Sequence, residues 1–316
     1  MFKINSLLLW ALLLIPLLNF AQYTDQINSN RPGETMSAFA VGKSVIQLET
    51  GAYGITQKHH LLNYVTNGYG IDATLRYGMF MEKLELIADI QYQSQVYEAL
   101  YTKTNQKALK QTILGAKYLL YDPFKNHEKK INVYSWNANR KFSWRQLIPA
   151  VSVFAGANFT SANNPYHFSP NASISPKAIL ITQNHLGDGT WVFVTNTIAD
   201  YIGTEYPSYG YALTLTKGFN DKWSGFVENQ GYKSNFYSDA IVRAGAAYLL
   251  TDDFQIDASA SASLKNTPSI FYGGLGFSWR YDGNYNEVRM PVEDPNVLKA
   301  QKRAKKGTKK KKFLIF

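Results

Sequence analysis

The chain has 316 residues, 45% hydrophobic and 15% aromatic, with no cysteine and a formal net charge of +10. Without cysteine there is no disulfide framework, no thiolate metal site and no lipidated cysteine behind an export signal. The charge is local: residues 299–312 hold nine Lys and Arg and no acid, which leaves 24 basic and 23 acidic residues elsewhere, so the body carries no nucleic-acid footprint.

Residues 1–21 read as a secretory signal peptide. Lys3 supplies a basic start, residues 7–20 form an apolar stretch interrupted by Pro16, and Asn19-Phe20-Ala21 precedes Gln22. The stretch is shorter than the roughly 20 apolar residues of a spanning helix. Residues 22–42 follow as a periplasmic N-terminal segment or partial plug.

From residue 43 to 281 one pattern repeats: every second residue is apolar, and those between are small, polar or charged. Alternate side chains of a strand point to opposite faces, so each run has one greasy and one wet face. Twelve strands are expected, at about 45–55, 70–80, 83–93, 112–121, 147–158, 177–186, 190–201, 209–219, 222–232, 240–250, 254–264 and 271–281. In the last, Phe271, Gly273, Leu275, Phe277, Trp279 and Tyr281 alternate with Tyr272, Gly274, Gly276, Ser278 and Arg280. A soluble sandwich needs far fewer strands. The expected fold is all-β: a transmembrane, antiparallel, up-and-down β-barrel of about 12 strands, of outer-membrane type.

The links support this topology. Met81-Glu82, Gly187-Asp188-Gly189, Asn220-Asp221 and Thr251-Asp252-Asp253 are hairpin turns. The connections at 94–111, 159–176 and 202–208 are longer, so short periplasmic turns and longer outer loops are expected to alternate. An even strand count returns both termini to the periplasm. Phe80, Tyr121, Trp191, Phe219, Trp223, Phe254 and Tyr281 fall at strand ends near the short turns, where an interfacial girdle belongs. One link departs from the rule: about 122–146 is a long periplasmic insert rich in Lys, Arg and aromatics. Its Trp136, Arg140 and Trp144 are either a docking surface for a periplasmic partner or aromatics packed under the barrel rim. The tail, residues 282–316, is either a solvated basic segment or a contact for cell-wall carboxylates and anionic lipid.

No constellation for catalysis stands out. His59, His60, His127, His167 and His185 show no metal-ligand spacing, no phosphate loop opens a helix, and no serine is singled out beside His185. The chain is therefore expected to be no enzyme and to need no cofactor. The charged candidates sit on the wet faces: acids Glu49, Asp72, Glu85, Asp89, Glu228 and Asp257, and bases Arg76, Lys117, Arg243 and Arg280. Two readings stand for them: an ion-pair network that fills the barrel, or a polar lining that selects what passes.

Asn30-Arg31-Pro32-Gly33-Glu34-Thr35, followed by Gln47-Leu48-Glu49-Thr50-Gly51, resembles the opening of the outer-membrane barrel family named for the MetA pathway of phenol degradation, also called transporters. Leu75-Arg76-Tyr77-Gly78, Gly115-Ala116-Lys117-Tyr118, Gln255-Ile256-Asp257 and Gly276-Phe277-Ser278-Trp279-Arg280 extend the resemblance to residue 281. It implies uptake of small molecules, with aromatic or hydrophobic compounds as the associated class. The expected function is an outer-membrane channel for passive passage, with Glu49, Arg76, Glu85, Lys117, Glu228, Gln255, Asp257 and Arg280 lining or gating the lumen. Arg31 is expected at the mouth or in a plug, meeting Glu49 or Glu85. The expected partners are outer-membrane lipid and a small-molecule solute. The alternative is a closed barrel that holds a periplasmic protein through the insert and tail.

Overall fold

The computed structural model describes residues 27–124, 134, 144–161, 164–167, 173–187, 189–235 and 237–283. Residues 1–26 (which include the expected signal peptide), most of the 122–146 insert and the tail beyond residue 283 lie outside the described residues. The strands are β1 (Val45–His59), β2 (Tyr64–Gly78), β3 (Leu84–Ala99), β4 (Thr102–Tyr121), β5 (Ala150–Phe159), β6 (Ile174–Leu186), β7 (Trp191–Asp200), β8 (Ser208–Gly218), β9 (Trp223–Lys233), β10 (Ser238–Thr251), β11 (Phe254–Ser263) and β12 (Ser269–Asp282). Each pairs antiparallel with its sequence neighbours, and β12 pairs with β1, so the sheet closes into a barrel. A closed sheet has no edge left unpaired, which is the condition for strands to cross hydrocarbon.

The alternation sets the two surfaces. Leu75, Ile90, Leu114, Leu180, Val227, Ile256, Leu275 and Phe277 are exposed on the outside of seven of the strands. A continuous apolar exterior of this kind is stable only against lipid. The outward face of β12 runs from Phe271 to Tyr281. At about 3.4 Å per residue and a tilt of about 40°, those ten steps rise about 26 Å, close to the height of an outer-membrane apolar belt. Phe80, Tyr121, Trp191, Phe219, Trp223, Trp279 and Tyr281 are exposed at the end where β1 begins and β12 ends. The barrel belongs in an outer membrane, and β1 begins and β12 ends at the same rim.

Where turns are tight, the backbone dictates the residue. Gly187 and Gly189 close the β6–β7 hairpin with φ of +65° and +94°, a region that other residues enter only with strain.

The expected contrast of short and long links needs correction. Residues 94–111 are not a loop: β3 and β4 pair continuously up to Ala99 and Thr102, past a bulge at Lys110. Beyond the membrane both faces of a strand are wet, so alternation disappears from the sequence while the ladder persists. Gln93 donates to Gln95, and Gln95 to Gln106, each at 2.7 Å, tying the extension together. β1 to β4 are 15–20 residues long, against 10–13 for β5 to β9. The wall is therefore taller on one side.

Candidate functional site

Residues 27–44, which precede β1, run inside the barrel and make polar contacts with all twelve strands. Ser29 Oγ meets Ser278 Oγ of β12 at 2.6 Å. The Asn30 N–H donates to Glu49 of β1 at 3.2 Å, and the Asn28 carbonyl accepts from Arg76 of β2 at 2.9 Å. Glu85 of β3 accepts the Val41 N–H at 3.0 Å. Lys117 of β4 donates to the Ser37 and Phe39 carbonyls at 2.9 and 3.0 Å. Ser152 of β5 donates to the Ala38 carbonyl, and Gln183 of β6 accepts the Ala38 N–H at 2.9 Å. With its amide assigned by its surroundings, Asn196 of β7 donates to the Met36 carbonyl at 3.0 Å and accepts its N–H at 2.7 Å. Thr35 meets Thr214 of β8 and donates to Glu228 of β9 at 2.8 Å. Glu34 pairs with Arg243 of β10 at 3.3 Å, and Arg31 with Asp257 of β11 at 3.2 Å.

The place of Arg31 follows from strand register. Asp72, Gly51, Gly276 and Asp257 lie side by side across β2, β1, β12 and β11. The two glycines leave a trough between two carboxylates, and the guanidinium fills it: a Cβ on either glycine would come within 2.2 Å of Arg31 Nη2. Arg31 pairs with Asp72 through Nη1 and with Asp257 through Nε and Nη2. This planar fork between two acids suits arginine and not lysine. Gly51 lies six residues into β1, about 20 Å along the strand at about 3.4 Å per residue, so the segment reaches well into the lumen.

Below Arg31 the wall carries a buried chain of charge. Arg76 bonds Glu49 at 2.8 Å and Glu85 at 2.6 Å, and Lys117 lies 3.3 Å from Glu85. The four residues are almost fully buried. Two acids and two bases balance, and each carboxylate also accepts a backbone N–H of the segment. Burying such charges costs several kcal/mol per ion unless every one is paired, and removing one partner costs about 3–5 kcal/mol.

The adjoining wall is largely apolar. Phe154, Ile179, Ile181, Val194 and Ile198 of β5, β6 and β7 form one cluster with Ile87 and Ile113, and Met36, Ala38 and Phe39 of the segment pack on it. Beside the segment lies a cavity of about 690 Å³, lined by Phe39, Phe124, His185, Val192, Val194 and Phe226, among others. His185 meets Phe124 and Phe39 edge-on, with centroids 5.1 and 5.9 Å apart.

In sequence, residues 29–281, from within this segment to the end region of β12, match the family described as "Putative MetA-pathway of phenol degradation". The chain belongs to that family. No curated protein matches it in sequence. Among solved structures, the COG4313 outer membrane channel from Pseudomonas putida F1 is 9% identical, covering 81% of this chain and 100% of its own, with a TM-score of 0.49. The translocator domain of autotransporter NalP from Neisseria meningitidis is 8% identical over 76% of this chain and 89% of its own, with a TM-score of 0.47. The CymD monoaromatic hydrocarbon channel is 12% identical over 77% and 90%, with a TM-score of 0.40. At these identities and scores they say nothing of this family member's solute.

Within this family member, Glu49, Arg76, Glu85, Lys117, Glu228 and Asp257 all touch the segment or the pairs that hold it, and Gln255 donates to the Arg31 carbonyl at 3.3 Å. Arg280 is buried on the inner wall of β12. Arg31 meets Asp72 and Asp257 in place of Glu49 and Glu85, because Arg76 and Lys117 already hold those two. Trp136 and Arg140 lie outside the described residues, and Trp144 stands exposed on a short 3-10 turn. Sequence reasoning missed Glu34, the Gly51 and Gly276 trough, and the neutral anchors Ser152, Gln183 and Thr214. The Asn30–Thr35 run contains Glu34 and Thr35 and could have directed attention to them.

Proposed function

We propose that this protein is a channel for passive passage of small molecules, and that residues 27–44 are its gate. The observation that carries this is how the lumen is filled. Its occupant is a separate stretch of chain, held mainly by hydrogen bonds and ion pairs to all twelve strands. Water can replace such contacts at a net cost of about 0.5–1.5 kcal/mol for a neutral bond and about 1.5–3 kcal/mol for one to a charged group. A filler made of inward wall side chains could not leave; this one can.

In this mechanism a solute enters from the outer mouth, past Tyr53 and the Gln93–Gln95–Gln106 ladder, and meets the segment at Arg31 and Glu34. Displacement of the segment toward the periplasm opens the way into the cavity of about 690 Å³. That volume falls within the common range of small-molecule sites, about 300–1,000 Å³. Its lining of Phe39, Phe124, Phe226, Val192 and Val194 suits small ring compounds with an apolar face, in keeping with the phenol in the family's description.

The test is solute flux into liposomes carrying the full chain or the chain lacking residues 27–42. Phenol entry above that of empty liposomes, raised severalfold by the deletion, supports the gate. Flux equal to empty liposomes for both proteins overturns the channel reading.

A further inference from the structure

The charges of the lumen are not evenly shared along its length. At and beyond the segment, toward the outer mouth, the inner wall and the segment's tip present Arg31 between Asp72 and Asp257, Arg243 between Glu34 and Glu228, and Lys177 with Asp200 at 3.2 Å. Two more carboxylates meet only neutral donors. Asp89 accepts from Thr74 Oγ1 at 2.9 Å and Gln111 Nε2 at 2.8 Å, and Asp239 accepts from Tyr237 Oη at 2.6 Å. Lys110, at the β4 bulge beside inward-facing Gln111, is a further cation, and Lys265 bonds Ser238 Oγ at 2.6 Å at the rim beside Asp239. Among the described residues this gives seven carboxylates against five cations, an excess of two negative charges. At the periplasmic end the wall pairs Arg76 and Lys117 with Glu49 and Glu85 beside Arg280, and Glu82 and Asp122 line the cavity there.

We propose that the outer lumen selects by charge: it admits neutral and cationic solutes and turns back carboxylates and other anions. The proposal rests on the channel reading and narrows it. A narrow passage with low-dielectric walls focuses the field of its fixed charges, so a few uncompensated carboxylates dominate what an entering solute meets. Rings of Asp and Glu act in this way in cation-preferring pores. The half-exposed Glu34 carboxylate at the segment's tip is the last of these charges before the gate. For ring compounds, the favoured class is therefore neutral phenols and amine-bearing rings, and the excluded class is ring carboxylates.

The experiment is the reversal potential of the full chain in a planar bilayer under a tenfold KCl gradient at pH 8. The expected result is a K⁺ preference over Cl⁻ of about threefold or more. Asp89→Asn with Asp239→Asn should bring the ratio close to one, and Lys110→Gln, a change at an exposed site with the opposite sign, should raise it. A ratio at or below one for the native chain, or a ratio that neither variant moves, overturns the proposal and leaves the channel standing. No conductance from either the native chain or the chain lacking residues 27–42 overturns both.

Discussion

At the height of the segment the two sides of the lumen are built differently. The β1–β4 wall grips with charge: Glu49, Arg76, Glu85 and Lys117 are buried and each is bonded to another or to the segment's backbone. The β5–β7 wall is largely aliphatic, with Phe154, Ile181 and Val194 against Met36, Ala38 and Phe39, and the cavity opens along its far part. Charged contacts are directional and fix one position; apolar contacts are not, and let a surface slide. In the proposed gate the charged wall carries most of the registration, and the β5–β7 wall adds only the neutral bonds of Ser152, Gln183 and Asn196 to an otherwise apolar contact.

This contrast can be broken by substitution. The largest effect is expected from Arg76→Ala, which strands Glu49 in a buried site, leaves Glu85 to Lys117 alone, and should cost about 3–5 kcal/mol in denaturant unfolding from detergent micelles. It should also raise single-channel conductance. Arg31→Ala removes the fork over Gly51 and Gly276 and leaves the wall pairs intact. A smaller loss of about 1.5–3 kcal/mol is expected, again with higher conductance. On the other wall, Ile181→Val should cost only about 0.5–1.5 kcal/mol and leave conductance unchanged. If Ile181→Val opened the channel while Arg76→Ala did not, the division of labour would be reversed.

The fold was largely legible in the sequence, because lipid on one side and a wet lumen on the other impose period-two alternation. The legibility ends where that constraint ends. Residues 94–111 lost their alternation above the membrane and were expected as a loop, yet Gln93, Gln95 and Gln106 keep them in the sheet. Phe154, Ile179 and Ile181 face inward, against the rule of a wet lumen, because the segment supplies an apolar partner there. The charged residues of the wet faces were visible one by one, but their partners were not. Pairing of Arg31 with Asp72 and Asp257 depends on Gly51 and Gly276 meeting across β1 and β12, a register that only closure of the barrel creates.

The most direct test of a moving gate uses the absence of native cysteine. Ser29 and Ser278 have their Oγ atoms 2.6 Å apart, close enough for a disulfide of about 2.05 Å once both are cysteine. In the Ser29→Cys, Ser278→Cys double variant, the bridge would hold the segment at Ser29 while the chain holds it at Val45. Flux of phenol above that of empty liposomes should be lost when the pair is oxidised and restored by reductant, with either single variant unaffected. Equal flux from the oxidised and reduced double variant would contradict a gate that must move.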